Sequence, residues 1–90
     1  MDKIFINSAE DYIDLGQNFE SQGELQKAEQ AFLRALKLTE ENVLSYGSPQ
    51  NSIQAKELCL ILAELNMQQG NMHGADVFYV KAMQYSQKRT

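Results

Sequence analysis

Proline, cysteine and histidine each occur once in these 90 residues, and eight basic side chains face twelve acidic ones. Each shortage excludes something. With one proline and no Ser/Gly-rich tract, the 43 % hydrophobic content belongs to a folded chain and not to a linker or a disordered segment. A lone Cys59 forms no internal disulfide. Together with a lone His73 it makes neither a metal cage nor a nucleophile–base pair, which needs both groups within hydrogen-bond reach. No phosphate-binding glycine loop, HExxH or CxxC pattern is present, so the expectation is a chain that is not an enzyme and uses no cofactor or metal. The net charge of −4 argues against sequence-independent nucleic-acid binding, because neutralising phosphates takes clustered Lys and Arg and only Lys88 and Arg89 are adjacent. The longest apolar run, Leu58 to Ala63, is far too short to cross a bilayer. Ile4, Phe5 and Ile6 are too few for a signal-peptide core, which makes a cytoplasmic chain the expectation.

What the chain does have is an internal echo. Tyr12, Leu15, Gly16, Phe19, Gly23, Ala28, Phe32 and Ala35 are answered 47 residues later by Cys59, Leu62, Ala63, Asn66, Gly70, Ala75, Tyr79 and Ala82. Agreement at a fixed offset over so many positions marks one helical hairpin used twice. Gly16 and Ala28 are small enough to let two antiparallel helices approach, with Tyr12, Leu15, Phe19 and Phe32 filling the space on either side. The first copy resembles the tetratricopeptide repeat, with its aromatic, Leu-Gly, aromatic, and then Ala and aromatic signature. The second copy departs from it at Cys59, Ala63 and Asn66, and neither copy has the closing proline: Glu40 and Gln87 stand there. The resemblance covers roughly residues 9 to 88 and implies an all-α fold of two stacked antiparallel helix hairpins, a four-helix α-solenoid.

Along the chain, residues 1–7 read as a lead-in, laid over the first hairpin as a cap. Residues 8–88 read as the two-repeat domain, with hairpins at about 9–46 and 49–88. Ser8 is the expected N-cap of a helix from Ala9 to Ser21, with Asp11 completing a capping-box pattern. The second helix opens at Glu24 and carries Leu25, Ala28, Phe32 and Ala35 on one face. It runs on to Tyr46, where Gly47, Ser48 and Pro49 supply a stop, an N-cap and a first helical residue. This long helix and its corner resemble the extended repeats of the kinesin-light-chain type. A third helix from Pro49 to Gln69 is apolar on every side at Leu58–Ala63, as befits a helix between two neighbours. Gly70 and Asn71 make the last turn, and the fourth helix runs from Met72 to Lys88.

Two surfaces are candidates for binding. The resemblance implies a concave groove lined by the first helix of each repeat, here Glu10, Ile13, Gln17 and Glu20, then Glu57, Leu60, Glu64 and Met67. The Lys, Asn and Arg that clamp a chaperone's C-terminal carboxylate in some members are absent there, so the expected ligand is a basic or amphipathic segment. On the fourth helix, Phe78, Val80, Met83 and Tyr85 hold the places of Ala31, Leu33, Leu36 and Leu38 in the second helix, but no further hairpin follows to cover them. The expectation is a protein–protein interaction module, an adaptor or assembly factor, that forms a homodimer through this flank. The alternative is a small dedicated chaperone shielding an apolar segment of one partner there.

Overall fold

A computed structural model describes residues 8–46 and 49–87. They form four helices: α1 (Ala9–Ser21), α2 (Leu25–Tyr46), α3 (Pro49–Gln68) and α4 (Met72–Gln87). The Ile4–Phe5–Ile6 lead-in, the Gly47–Ser48 part of the corner and the Lys88–Arg89 pair lie outside the described residues. Each helix packs on the next in sequence, α1 on α2, α2 on α3 and α3 on α4. The Cα trace extends 42 × 38 × 14 Å, a slab with α1 and α4 at its edges.

Local chemistry sets the helix ends. Ser8 has extended backbone angles, and its hydroxyl accepts from the Asp11 amide at 3.2 Å, satisfying one of the open donors of the first turn. Glu10 and Asp11 put negative charge beside the positive end of the helix dipole. At the other end of α1, Gly23 takes φ of 81°, a conformation only glycine reaches cheaply. The Glu24 amide then reaches back to the Phe19 carbonyl at 2.9 Å and the Gly23 amide to that of Glu20 at 3.0 Å, closing a Schellman turn. The same turn recurs after α3. Gly70 has φ of 82°, Asn71 donates to the Asn66 carbonyl at 2.7 Å, and Gly70 donates to that of Met67 at 3.0 Å. The two bonds that close the first turn thus have counterparts 47 positions on, so the duplication extends to backbone hydrogen bonds.

One core runs through α2, α3 and α4: Ala28, Phe32, Ala35 and Leu36 meet Ala55, Leu58, Cys59, Leu62, Leu65 and Ala82. Tyr12, Ile13 and Phe19 of α1 close one side of it. Gly16 is indispensable to this packing, since a Cβ there would lie 2.8–2.9 Å from three atoms of the Phe32 ring.

Here the two hairpins diverge. Phe32 is fully buried over Gly16, whereas Tyr79, its counterpart, is 36 % exposed. Ala75 and Ala82 are buried on either side of it, and Tyr79 reaches α3 through its hydroxyl, 3.5 Å from Met67 Sδ. Ala63, itself buried, stands where Gly16 stands in the first hairpin.

Cys59 is fully buried, and removal from water pushes its thiol up from the ordinary 9.0 to about 11. The sign of the linkage follows. Stabilisation by the neutral thiol is complete below pH 9.0 and is lost as pH rises through about 11, because the unfolded chain gives up its proton first. Thermal midpoints followed across this window should fall with rising pH, and Cys59→Ala should remove part of the fall. A thiol reagent at neutral pH should label Cys59 only as fast as the chain opens.

Candidate protein-binding surfaces

Helix α4 divides lengthwise. Ala75 and Ala82 face the core, with Phe78 and Tyr85 half-buried against it. Tyr85 donates its hydroxyl to Glu40 Oε2 at 2.6 Å, and Lys81 Nζ lies 2.9 Å from the same oxygen, so one carboxylate of α2 holds two side chains of α4. Burial and the Glu40 carboxylate together push the Tyr85 phenol well above its usual range. Of the four side chains expected on an open flank, Phe78 and Tyr85 are therefore engaged with the body of the protein. Val80 and Met83, at 52 % and 58 % exposure, remain open. Met72, Val77 and Tyr79 join them on the same arc, and Tyr79 extends it to α3 by donating to Met67 Sδ at 3.5 Å. Asp76 is the one acidic residue among them, and no Lys or Arg lies on this arc.

The decisive comparison is within the chain. Leu36 of α2 is 4 % exposed, in the core with Ala55 and Leu58 of the next helix, while Met83, 47 positions later, is open. At this register position the side chain is covered on α2, where α3 packs, and open on α4.

The groove residues have mixed surroundings. Glu57, Glu64 and Met67 are exposed on α3 with Leu60 half-buried between them, and Ile53 extends the row by about one turn. The row reads Ile53, Glu57, Leu60, Glu64, Met67, apolar and acidic by turns. On α1, Glu10 and Gln17 are exposed, Glu20 is half-buried and Ile13 packs against the core. Among the described residues the backbones of α1 and α3 do not approach each other closely. The outer side of α2 has a shallow open depression of about 410 Å³, bordered by Gln30, Leu33, Arg34 and Lys37.

Where the second copy departs from the pattern, a polar network takes over that sequence reasoning did not anticipate. Asn66, buried in place of Phe19, donates to the Leu62 carbonyl at 2.8 Å and to Glu29 Oε2 at 3.3 Å, and accepts from Asn71 Nδ2 at 2.9 Å. Gln69 donates to the other Glu29 oxygen at 2.9 Å. Asn71 caps α4 by accepting from the Gly74 amide at 3.0 Å. The available signal was the group Asn66, Asn71 and Gly74 around one turn. His73 is exposed at the start of α4, and no cluster of three metal-ligating side chains occurs among the described residues.

With the duplicated turn and the Gly16–Phe32 contact established, comparison with protein families is informative. Residues 9–42 match the tetratricopeptide repeat family. Over this stretch the chain matches a tetratricopeptide-type repeat, and its all-helical, four-helix fold fits a protein built of such repeats. The match takes in α1 and most of α2, the hairpin in which glycine and aromatic rings stand in their places; the second hairpin, with Cys59, Ala63 and Asn66, lies outside it. No curated protein and no solved structure matches the chain. Tetratricopeptide repeats are a non-catalytic scaffold for protein–protein interaction, and no helix among the described residues is long and apolar enough to cross a membrane.

Proposed function

We propose that this repeat protein is a non-enzymatic adaptor or assembly factor, acting in the cytoplasm, that self-associates about a two-fold axis through α4. The observation carrying this reading is the contrast between buried Leu36 and open Met83 at equivalent positions. A second copy of α4 supplies the cover that α3 supplies to α2.

The strip suits a copy of itself. In an antiparallel pair centred on Val80, Val77 meets the second copy's Met83 and Asp76 meets its Gln84. The two Asp76 carboxylates are then about 12 Å apart along the axis, too far to repel strongly through solvent. An isologous contact of this kind closes on itself and leaves no open chain of subunits. Burying the exposed halves of Met67, Met72, Val77, Tyr79, Val80 and Met83 gains about 5–9 kcal/mol, against an association cost of about 4–15 kcal/mol. The dimer is accordingly weak and concentration-dependent, and the part of the acidic and apolar row of α3 from Ile53 to Glu64 stays free for a basic amphipathic segment of another protein.

Self-cross-linking tests the geometry. Val80→Cys in a Cys59→Ala background should form an intermolecular disulfide rapidly under mild oxidation, since the axis brings residue 80 against its own copy. A cysteine at exposed Gln26 on α2 should not. Equal, slow cross-linking at both positions would reject α4 self-association and favour the reading in which this strip shields an apolar segment of a different protein.

A further inference from the structure

Every methionine among the described residues lies on the same surface. Met67 and Met72 are 43 % and 60 % exposed and Met83 is as open as they are, while none sits in the core. Met72, Tyr79 and Met83 fall on one line of α4, spaced by seven and four residues, and Met67 joins them through the Tyr79 hydroxyl. Thioethers thus supply half of the six large apolar side chains on the strip.

We infer that these three methionines are an oxidation site that controls self-association. The inference rests on the α4 dimer proposed above. A sulfur lone pair attacks one oxygen of hydrogen peroxide, the O–O bond breaks, and the sulfoxide forms as water leaves; sulfur is oxidised by two electrons and the peroxide is reduced by two. The product is polar and a strong hydrogen-bond acceptor, and it makes a poor partner for Val77 or Val80 of a second copy. In the dimer the thioethers are covered. The separated chain is the reactive form, so oxidation traps the monomer, and its rate falls as protein concentration rises.

Three sulfoxides should weaken the dimer roughly a hundredfold. The experiment treats the full chain with hydrogen peroxide, locates sulfoxides by peptide mass mapping, and measures molar mass by sedimentation before and after, with circular dichroism reporting helix content. The expected result is a helical monomer carrying sulfoxide at 67, 72 and 83, at a concentration where the untreated chain is a dimer. The Met67→Leu, Met72→Leu, Met83→Leu variant should stay dimeric through the same treatment. A fully oxidised chain that remains a dimer overturns this inference and leaves the α4 interface standing. An untreated chain that is already monomeric at every concentration overturns both.

Discussion

Phe32→Ala is expected to lower stability by about 3–5 kcal/mol, the usual cost of deleting a buried aromatic side chain. The effect is large because Phe32 has no exposed surface and is seated on Gly16, so the space it leaves is walled by two helices. Ninety residues bury only about 60–65 % of the unfolded chain's surface, which keeps the total stability small. Loss on this scale should leave the variant largely unfolded at room temperature. Chemical denaturation followed by circular dichroism checks this, and Tyr79→Ala is the internal control. Its ring occupies the equivalent position but is partly in water, and its removal should cost no more than about 1 kcal/mol. Equal losses at 32 and 79 would mean that the two hairpins are packed alike.

The second large effect is expected at Gly74. A Cβ there would run into Asn66 Oδ1 and lie 2.6 Å from Asn71 Nδ2. Alanine favours the helix by about 1 kcal/mol over glycine. Displacing Asn66 puts at risk its bonds to Leu62 and Glu29 as well as the one from Asn71, and overpacking adds about 1–3 kcal/mol. Gly74→Ala should therefore be net destabilising by about 2 kcal/mol despite its better helix propensity. Combining it with Asn66→Ala should recover part of that loss, because the clash disappears with the amide. Independent, additive losses in a double-mutant cycle would show that the two residues do not meet.

How far the fold can be read from the sequence depends on which residues are asked. The helices α1 and α2 follow from Ser8, the glycine at 23 and the spacing of Leu25, Ala28, Phe32 and Ala35, and α3 and α4 end within one residue of where the apolar pattern and turn residues place them. Those signals are local, and local chemistry decides them. The surface of α4 was only partly legible. Position alone put Phe78 and Tyr85 beside Val80 and Met83, but Glu40, 45 residues upstream of Tyr85, draws its hydroxyl inward. Tyr79 shares its register position with Phe32 but is more exposed. Ala63 in place of glycine is visible as a departure from the pattern, but the burial of the ring 16 residues on depends on the space between two helices. The Asn66 network was hidden for a similar reason, since Glu29 and Asn66 meet only after α2 and α3 have packed.

Sedimentation equilibrium of the wild type and of Val80→Asp, over a wide range of concentration, tests the central claim most directly. The wild type should move from 10.2 kDa towards twice that mass as concentration rises, and Val80→Asp should stay at 10.2 kDa with unchanged helix content, because a charge would then face its own copy across the axis. A wild type that holds 10.2 kDa throughout, or a Val80→Asp variant that associates as the wild type does, would contradict self-association through α4.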